Sequence, residues 1–133
     1  MNERDCDLGA AELEVLRVLW DEGPATVRDV LNRLNERGRG LAYTTVQTFL
    51  TRLEQKGFVR SNKSDLAFVF RAKVSRDKIS RSRLRSLLDE LYDGAAGPLA
   101  LQLIRQERFT RDEIDELQKL IDRLDSKGRK AGR

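Results

Sequence analysis

Apolar residues recur along this chain at two spacings, and the change from one to the other divides it into elements. Leu13, Val15, Leu16, Leu19 and Trp20 fall at helical spacing, and Gly23-Pro24 marks where that helix ends. Thr26 with Asp29 three residues on forms a capping-box-like start. Val27, Val30, Leu31 and Leu34, at i, i+3, i+4 and i+7, then predict a second helix with one buried face. The glycines of ERGRG, at 38 and 40, permit a turn. A third helix is predicted from Tyr43, with Val46, Phe49, Leu50 and Leu53 inward and Gly57 where a left-handed residue favours termination. There the period shortens: Phe58-Val59-Arg60 predicts a short strand, SNKSD a polar turn, and LAFVFR from Leu66 a second strand rich in β-formers.

Beyond Val74 the pattern is helical again. Ser75 can cap a helix whose stripe is Ile79, Leu84, Leu87, Leu88 and Leu91, interrupted by Gly94 and Gly97-Pro98. Pro98 suits the first turn of a short helix through Leu99, Leu103 and Ile104. Thr110 and Glu113 make a full capping box for a last helix bearing Ile114, Leu117, Leu120, Ile121 and Leu124. The fold class predicted is mainly α with a small β-hairpin wing: a winged helix-turn-helix over 8–74, a helical segment over 75–126, and a basic, disordered tail over 127–133. Three amphipathic helices in about 50 residues bury little surface within one chain. A second copy supplies the missing cover, and a two-fold homodimer is the commonest solution. The candidate dimerisation residues are Leu84, Leu87, Leu88, Leu91, Leu103, Ile114, Leu117, Ile121 and Leu124.

Net charge is only +4 over 133 residues, but its distribution is uneven. Residues 26–74 hold ten basic side chains against four acidic ones, whereas the first 25 residues hold seven acidic side chains against two basic ones. Positive charge focused on one segment is the electrostatic footprint expected for phosphate. Histidine is absent, which removes the commonest general base and metal ligand. Cys6 is the one cysteine, so it is either an inert thiol or the site of an intermolecular bond. With no glycine-rich phosphate loop either, the chain offers no catalytic constellation, metal site or cofactor site, and no small-molecule substrate is expected. No stretch approaches the roughly 20 apolar residues of a membrane helix. The start MNERDCD lacks the apolar region of a secretory signal, so a cytoplasmic location is expected.

The third helix is the candidate reader of DNA. Its outward face carries Thr44, Thr48, Thr51 and Gln55, flanked by Thr45, Gln47 and Arg52, with no acid until Glu54. A major groove admits one helix and displays acceptors, donors and thymine methyls, which threonine, glutamine and arginine complement. A solvated helix face would more often mix Glu with Lys. The candidate DNA-binding set is therefore Tyr43, Thr44, Thr45, Gln47, Thr48 and Arg52, with Arg60 and Lys63 from the hairpin. Each has an ordinary alternative: Thr44 or Thr45 can satisfy first-turn backbone donors, and Lys63 can be a solvated charge in the hairpin turn. Arg76, Lys78, Arg81, Arg83 and Arg85 either touch phosphate or line a solvated face. Helix order, basic stretch, wing and acid-poor face agree on double-stranded DNA as the partner. The alternative is a winged helix used for protein interaction, which would show acids or an apolar patch on the outer face of the third helix.

The stretches ELEVLRVLWDEGPATVRDV, LAYTTVQTFLTRLEQKGFVR, AFVF, SRDK and LYDG together resemble the BlaI/MecI/CopY family of penicillinase repressors, over roughly Leu8 to Leu124. The resemblance implies a dimeric repressor of transcription on a dyad-symmetric operator. It places Thr44, Thr45, Thr48 and Arg52 at recognition-helix contacts and the wing from Arg60 to Phe70 along the phosphate backbone. Copper-responsive members carry a cysteine cluster near the C-terminus, and this chain has no cysteine after Cys6. β-Lactam-responsive members are released when a membrane sensor protease signal ends in cleavage of an Asn-Phe bond. Gln102-Leu103, within PLALQLI, stands at the matching position and is the candidate cleavage site.

Overall fold

The computed structural model describes residues 8–64 and 66–130; Cys6 and the last three residues lie outside them. Three helices come first: α1 (Ala10–Glu22), α2 (Val27–Glu36) and α3 (Tyr43–Gln55). The backbone N–H of Gly9 donates to Glu12 Oε1 at 3.0 Å, so an acid inside the first turn caps α1. For α2, Thr26 Oγ1 accepts from Asp29 N and Asp29 Oδ2 accepts from Thr26 N, both at 3.1 Å, the reciprocal box predicted. The turn between α2 and α3 is held by Asn35, whose side chain accepts from Leu41 N at 2.7 Å and donates to Leu41 O at 3.2 Å. After α3, Gly57 adopts φ +87, a conformation side-chain-bearing residues avoid, and the chain turns sharply into the hairpin.

The inward stripes meet in one core. Val15, Leu16, Val30, Leu34, Val46, Leu50, Leu53 and Phe58 are all but inaccessible to solvent. The hairpin of β1 (Val59–Ser64) and β2 (Ala67–Ala72) closes over it through Phe70, whose backbone pairs with Ala25. Both strands differ from the sequence expectation. Ser61 to Ser64, read as turn, belong to β1, and Lys63 stands opposite Phe68 in the ladder rather than in the turn. Ser64 pairs with Ala67, so only two residues join the strands. Toward the hairpin tip, Asn62, Lys63, Leu66, Ala67 and Phe68 are exposed, and there pairing needs only backbone groups and polar side chains are tolerated on wet faces.

The helical segment comprises α4 (Arg76–Tyr92), α5 (Ala96–Gln106) and α6 (Arg111–Lys130). Ser75 caps α4 and Thr110 caps α6 through a box with Glu113, as their sequence positions predict. The boundary drawn at Val74 cuts through a packed unit. Ile79 of α4 is 3% exposed and lies in the core of the head. Trp20 Nε1 donates to Val74 O at 2.9 Å, Arg83 donates to Leu8 O at 2.7 Å, and Arg76 pairs with Asp21. The first half of α4 is thus locked to α1. The predicted boundary at 126 also moves, because α6 runs on to Lys130. No proline stops it, and the single glycine at 128 costs only about 1 kcal/mol in a helix.

Further along, the apolar stripes lie largely open. Leu88 is buried within the chain and Leu117 half-buried. Leu84, Leu87, Leu91, Leu103, Ile114, Ile121 and Leu124 are exposed, and α5 buries no side chain at all.

Candidate nucleic-acid interface

The outward face of α3 carries Tyr43, Thr44, Gln47, Thr48, Thr51 and Arg52 exposed, with Thr45 half-buried. Neither Thr44 nor Thr45 is the cap of this helix: that position is Ala42, which has no side-chain acceptor. Two threonines do bond the helix, one turn back. Thr48 Oγ1 donates to Thr44 O and Thr51 Oγ1 to Gln47 O, both at 2.9 Å. Each hydroxyl proton is thereby occupied, and each side chain presents a methyl group and acceptor lone pairs outward. Gln47, Arg52 and the hydroxyls of Tyr43 and Thr44 supply the donors of the face.

Folding sorts the basic residues into two groups. The four acids of α1 are taken up by cations from elsewhere: Glu12 by Lys56 at 2.9 Å, Glu14 by Arg39 at 2.9 Å, Asp21 by Arg76 and by Arg37 at 3.8 Å, and Glu22 by Arg33 at 3.4 Å. The pairs of Arg33, Arg37 and Arg39 are exposed and contribute little stability, whereas Glu12 is buried beneath Lys56; all four cations face a carboxylate of α1. Arg28, Arg52, Arg60, Lys63, Arg71 and Lys73 have no carboxylate partner among the described residues. Arg60 and Arg71 even stand directly opposite each other in the hairpin, an unfavourable arrangement for a free sheet. The hydrogen bond from Arg76 holds the Asp21 carboxyl below its ordinary range, with Arg37 and Arg17 adding to the effect.

The basic opening of α4 is internally occupied for the most part. Arg81 pairs with Asp77 at 3.0 Å and Arg85 with Asp89 at 3.2 Å, while Arg76 and Arg83 are bound to the head.

Between α3 and the wing runs a groove of about 460 Å³, walled by Arg28, Tyr43, Gln47 and Thr51 on one side and by Leu66 and Phe68 on the other. Its acid, Glu54, is turned onto the wing, accepting from Ser61 N at 2.9 Å and Ser61 Oγ at 2.7 Å. These two bonds pin β1 to α3 and set the wing's position. Arg28 was not singled out by sequence. It lies on α2 with its guanidinium 4.9 Å from the centre of the Tyr43 ring. Helical phase predicts that Arg28 faces away from Val27, Val30 and Leu31, but a stack between two helices has no local signature. Lys63 and Arg60 lie on opposite faces of the hairpin, since strand neighbours three apart alternate sides. Among the described residues no cluster of three metal-ligating side chains occurs, and no helix is long and apolar enough to cross a membrane.

A three-helix head with a hairpin wing and an acid-poor third helix defines the class: a winged helix-turn-helix regulator of transcription. Residues 8–123 match the profile of the penicillinase repressor family, and the chain belongs to that family of transcriptional repressors. It is 24% identical over 123 residues to the methicillin resistance regulatory protein MecI of Mammaliicoccus sciuri, covering 92% of this chain and 99% of that one. To the penicillinase repressor of Bacillus licheniformis it is 27% identical over 112 residues, covering 84% and 87%. Among solved structures, a transcriptional regulator from Thermotoga maritima superposes with a TM-score of 0.48 at 19% identity, over 90% of this chain and 80% of the other.

Proposed function

We propose that the chain represses transcription as a homodimer on a dyad-symmetric operator, α3 of each copy entering a major groove and the wing following the backbone. The observation that carries this is the sorting of charge: the acids of α1 are consumed by internal pairs, while unpaired cations remain around α3 and along the wing. The face of α3 shows no acid before Glu54 and no apolar side chain except Tyr43, so it lacks what a protein-docking helix would present. The open stripes of α4 to α6 support the dimer. Leu91 and Leu124 are 67% and 69% exposed, and a second copy would bury them. A two-fold protein then asks for a two-fold site.

Arg52→Ala tests the reader directly. The side chain is exposed, so folding should be unaffected by circular dichroism. Affinity for a duplex selected from a random pool should fall about 10–100-fold, with preference lost at one base pair if the contact is bidentate to guanine. A fall of equal size on all sequences assigns Arg52 to phosphate; unchanged affinity on specific and random duplexes alike removes it from the interface.

Release by cleavage between Gln102 and Leu103 is the reading that α5 supports. Both residues are exposed, and Tyr92 Oη donates to Gln102 Oε1 at 2.5 Å. A protease needs an extended strand, so α5 must open first; it buries no side chain within its own chain, so in the dimer only the cover that the second copy gives Leu103 holds it closed. Severing it would detach α6 from the head and weaken the dimer by mass action. Immunoblotting through induction in the native host should show loss of the intact chain before derepression. Full derepression with the chain uncut points instead to a directly bound effector.

A further inference from the structure

We propose that the pocket between α1 and the start of α4 is an effector site for a small organic carboxylate with a compact apolar body. The pocket has a volume of about 330 Å³, within the span of roughly 300–1,000 Å³ that small-molecule sites occupy. Leu13, Trp20 and Ile79 line its apolar part, and Arg17, Arg76 and Arg83 supply its charge. None of these residues belongs to α3 or the wing, so the pocket is separate from the surface proposed to face DNA.

The lining selects the ligand. No carboxylate borders the pocket, and among the described residues neither Arg17 nor Arg83 has a carboxylate partner. Arg83 spends an N–H on Leu8 O and keeps others for a ligand, and Arg76 alone of the three is answered, by Asp21. Guanidinium groups match a carboxylate as planar forks. A bare inorganic anion would use that charge but leave Leu13 and Trp20 facing water, whereas an organic acid covers both. The walls are already set: Trp20 Nε1 donates to Val74 O at 2.9 Å, Arg76 lies 5.5 Å from the centre of the Trp20 ring, and Ile79 is 3% exposed. Side chains so held lose little freedom when a ligand arrives. The arginines come from two helices far apart in the chain, so no local spacing announces the site.

Its position gives it leverage. α4 runs from the head to the open stripe of Leu84, Leu87 and Leu91, and the Arg76–Asp21 pair is one of the contacts that fix it to α1. A carboxylate that engages Arg76 competes with Asp21 and favours states in which α4 is held less firmly on the head. A dyad operator needs both heads at a set separation, so such a ligand lowers operator affinity, and the operator lowers ligand affinity by the same factor. This coupling rests on the DNA-binding reading above; occupancy of the pocket does not.

Trp20 is the one tryptophan of the chain, so its fluorescence reports occupancy directly. The full-length protein is titrated with cyclohexanecarboxylate and with the neutral cyclohexanecarboxamide, both optically silent. The acid should bind with a Kd of about 0.1–1 mM, which is what so few heavy atoms can supply, and the amide about 10-fold or more weakly than that. Arg17→Gln, at an exposed side chain, should weaken the acid about 10-fold and leave the amide unchanged. Ser80→Phe, which fills the pocket from α4, should abolish binding of both. Circular dichroism checks that the two variants are folded. At constant ionic strength, saturating acid should lower the affinity of the wild type for a selected duplex several-fold and leave that of Ser80→Phe unchanged. Equal binding of acid and amide, wild-type affinity for the acid in Arg17→Gln, or unchanged operator affinity at saturation overturns the proposal. If Arg17→Gln instead weakens binding to random duplexes with acid binding intact, these arginines face phosphate and the proposal is again wrong. Failure of the wild type to bind any duplex at low salt would defeat the DNA reading and the effector role with it, a result distinct from loss of the fluorescence response.

Discussion

A fragment spanning residues 8–85 is expected to fold, to sediment as a monomer, and to bind the operator at least about 100-fold more weakly than the full chain. The weakening follows from tethering. In the dimer the second head binds as an intramolecular event at high effective concentration, and the fragment loses that advantage along with α5 and α6. The choice of Arg85 as the end comes from the packing. Ile79 fills the core of the head, Arg83 holds Leu8 O and Arg76 holds Asp21, so all three must be retained. A fragment ending at Val74, where the sequence pattern changes, loses the burial of Ile79, a contribution of about 1.5–3 kcal/mol. It also removes Arg76, which lies over the Trp20 ring and pairs with Asp21, and it should melt well below the longer fragment. Sedimentation equilibrium and thermal denaturation of the two fragments check both statements. Dimeric behaviour of 8–85 would place the interface in the head.

Glu12→Ala should destabilise the head by about 1–3 kcal/mol, the cost of removing a buried carboxylate that accepts two hydrogen bonds. Glu12 is 6% exposed; its Oε1 accepts from Lys56 at 2.9 Å and from Gly9 N at 3.0 Å, joining the start of α1 to the end of α3. Removal takes one carboxylate from the Lys56 ammonium, which is about a third exposed, and leaves the Gly9 N–H at the start of α1 without its acceptor. Glu12→Gln keeps an acceptor for Gly9 and should cost less. The pair also makes a pH prediction. Burial is the largest single influence on the carboxyl and raises its pKa, but the Lys56 hydrogen bond, the Gly9 N–H and the charges of Lys56 and Arg52 together outweigh it and hold the group below its ordinary 4.5. A depressed carboxyl contributes stability that is fully present above its unfolded pKa and is lost as pH falls through the folded one. Urea unfolding from neutral pH down to about pH 3 should therefore show a smaller acid loss for Glu12→Gln than for the wild type. Equal losses would mean that Glu12 does not carry the linkage.

Much of this protein is written locally. The phases of α1 to α3, the boxes at Thr26 and Thr110, the stop at Gly57 and the acid-poor face of α3 all follow from spacing along a single element. Burial periodicity and capping act within a few residues, so they are visible before any packing is known. The unburied stripe of Leu84, Leu91 and Leu124 is visible for the same reason.

Tertiary structure decided what depends on which elements meet and at what angle. From composition, the ten cations of residues 26–74 count equally. Only the packing of α1 against α2 and α3 shows that Arg33, Arg37, Arg39 and Lys56 answer its acids, while Arg28 is left to lie on Tyr43. The length of the hairpin was hidden because strand pairing is set by the partner's backbone, and Ser61 to Ser64 carry no apolar alternation to announce it. Ile79 reads as the first residue of the α4 stripe, but helical phase says that a side chain is buried without saying against what, and it lies in the core of the head. In each case charge, register or burial is a property of a pair of elements, and a single stretch of sequence holds only one member of the pair.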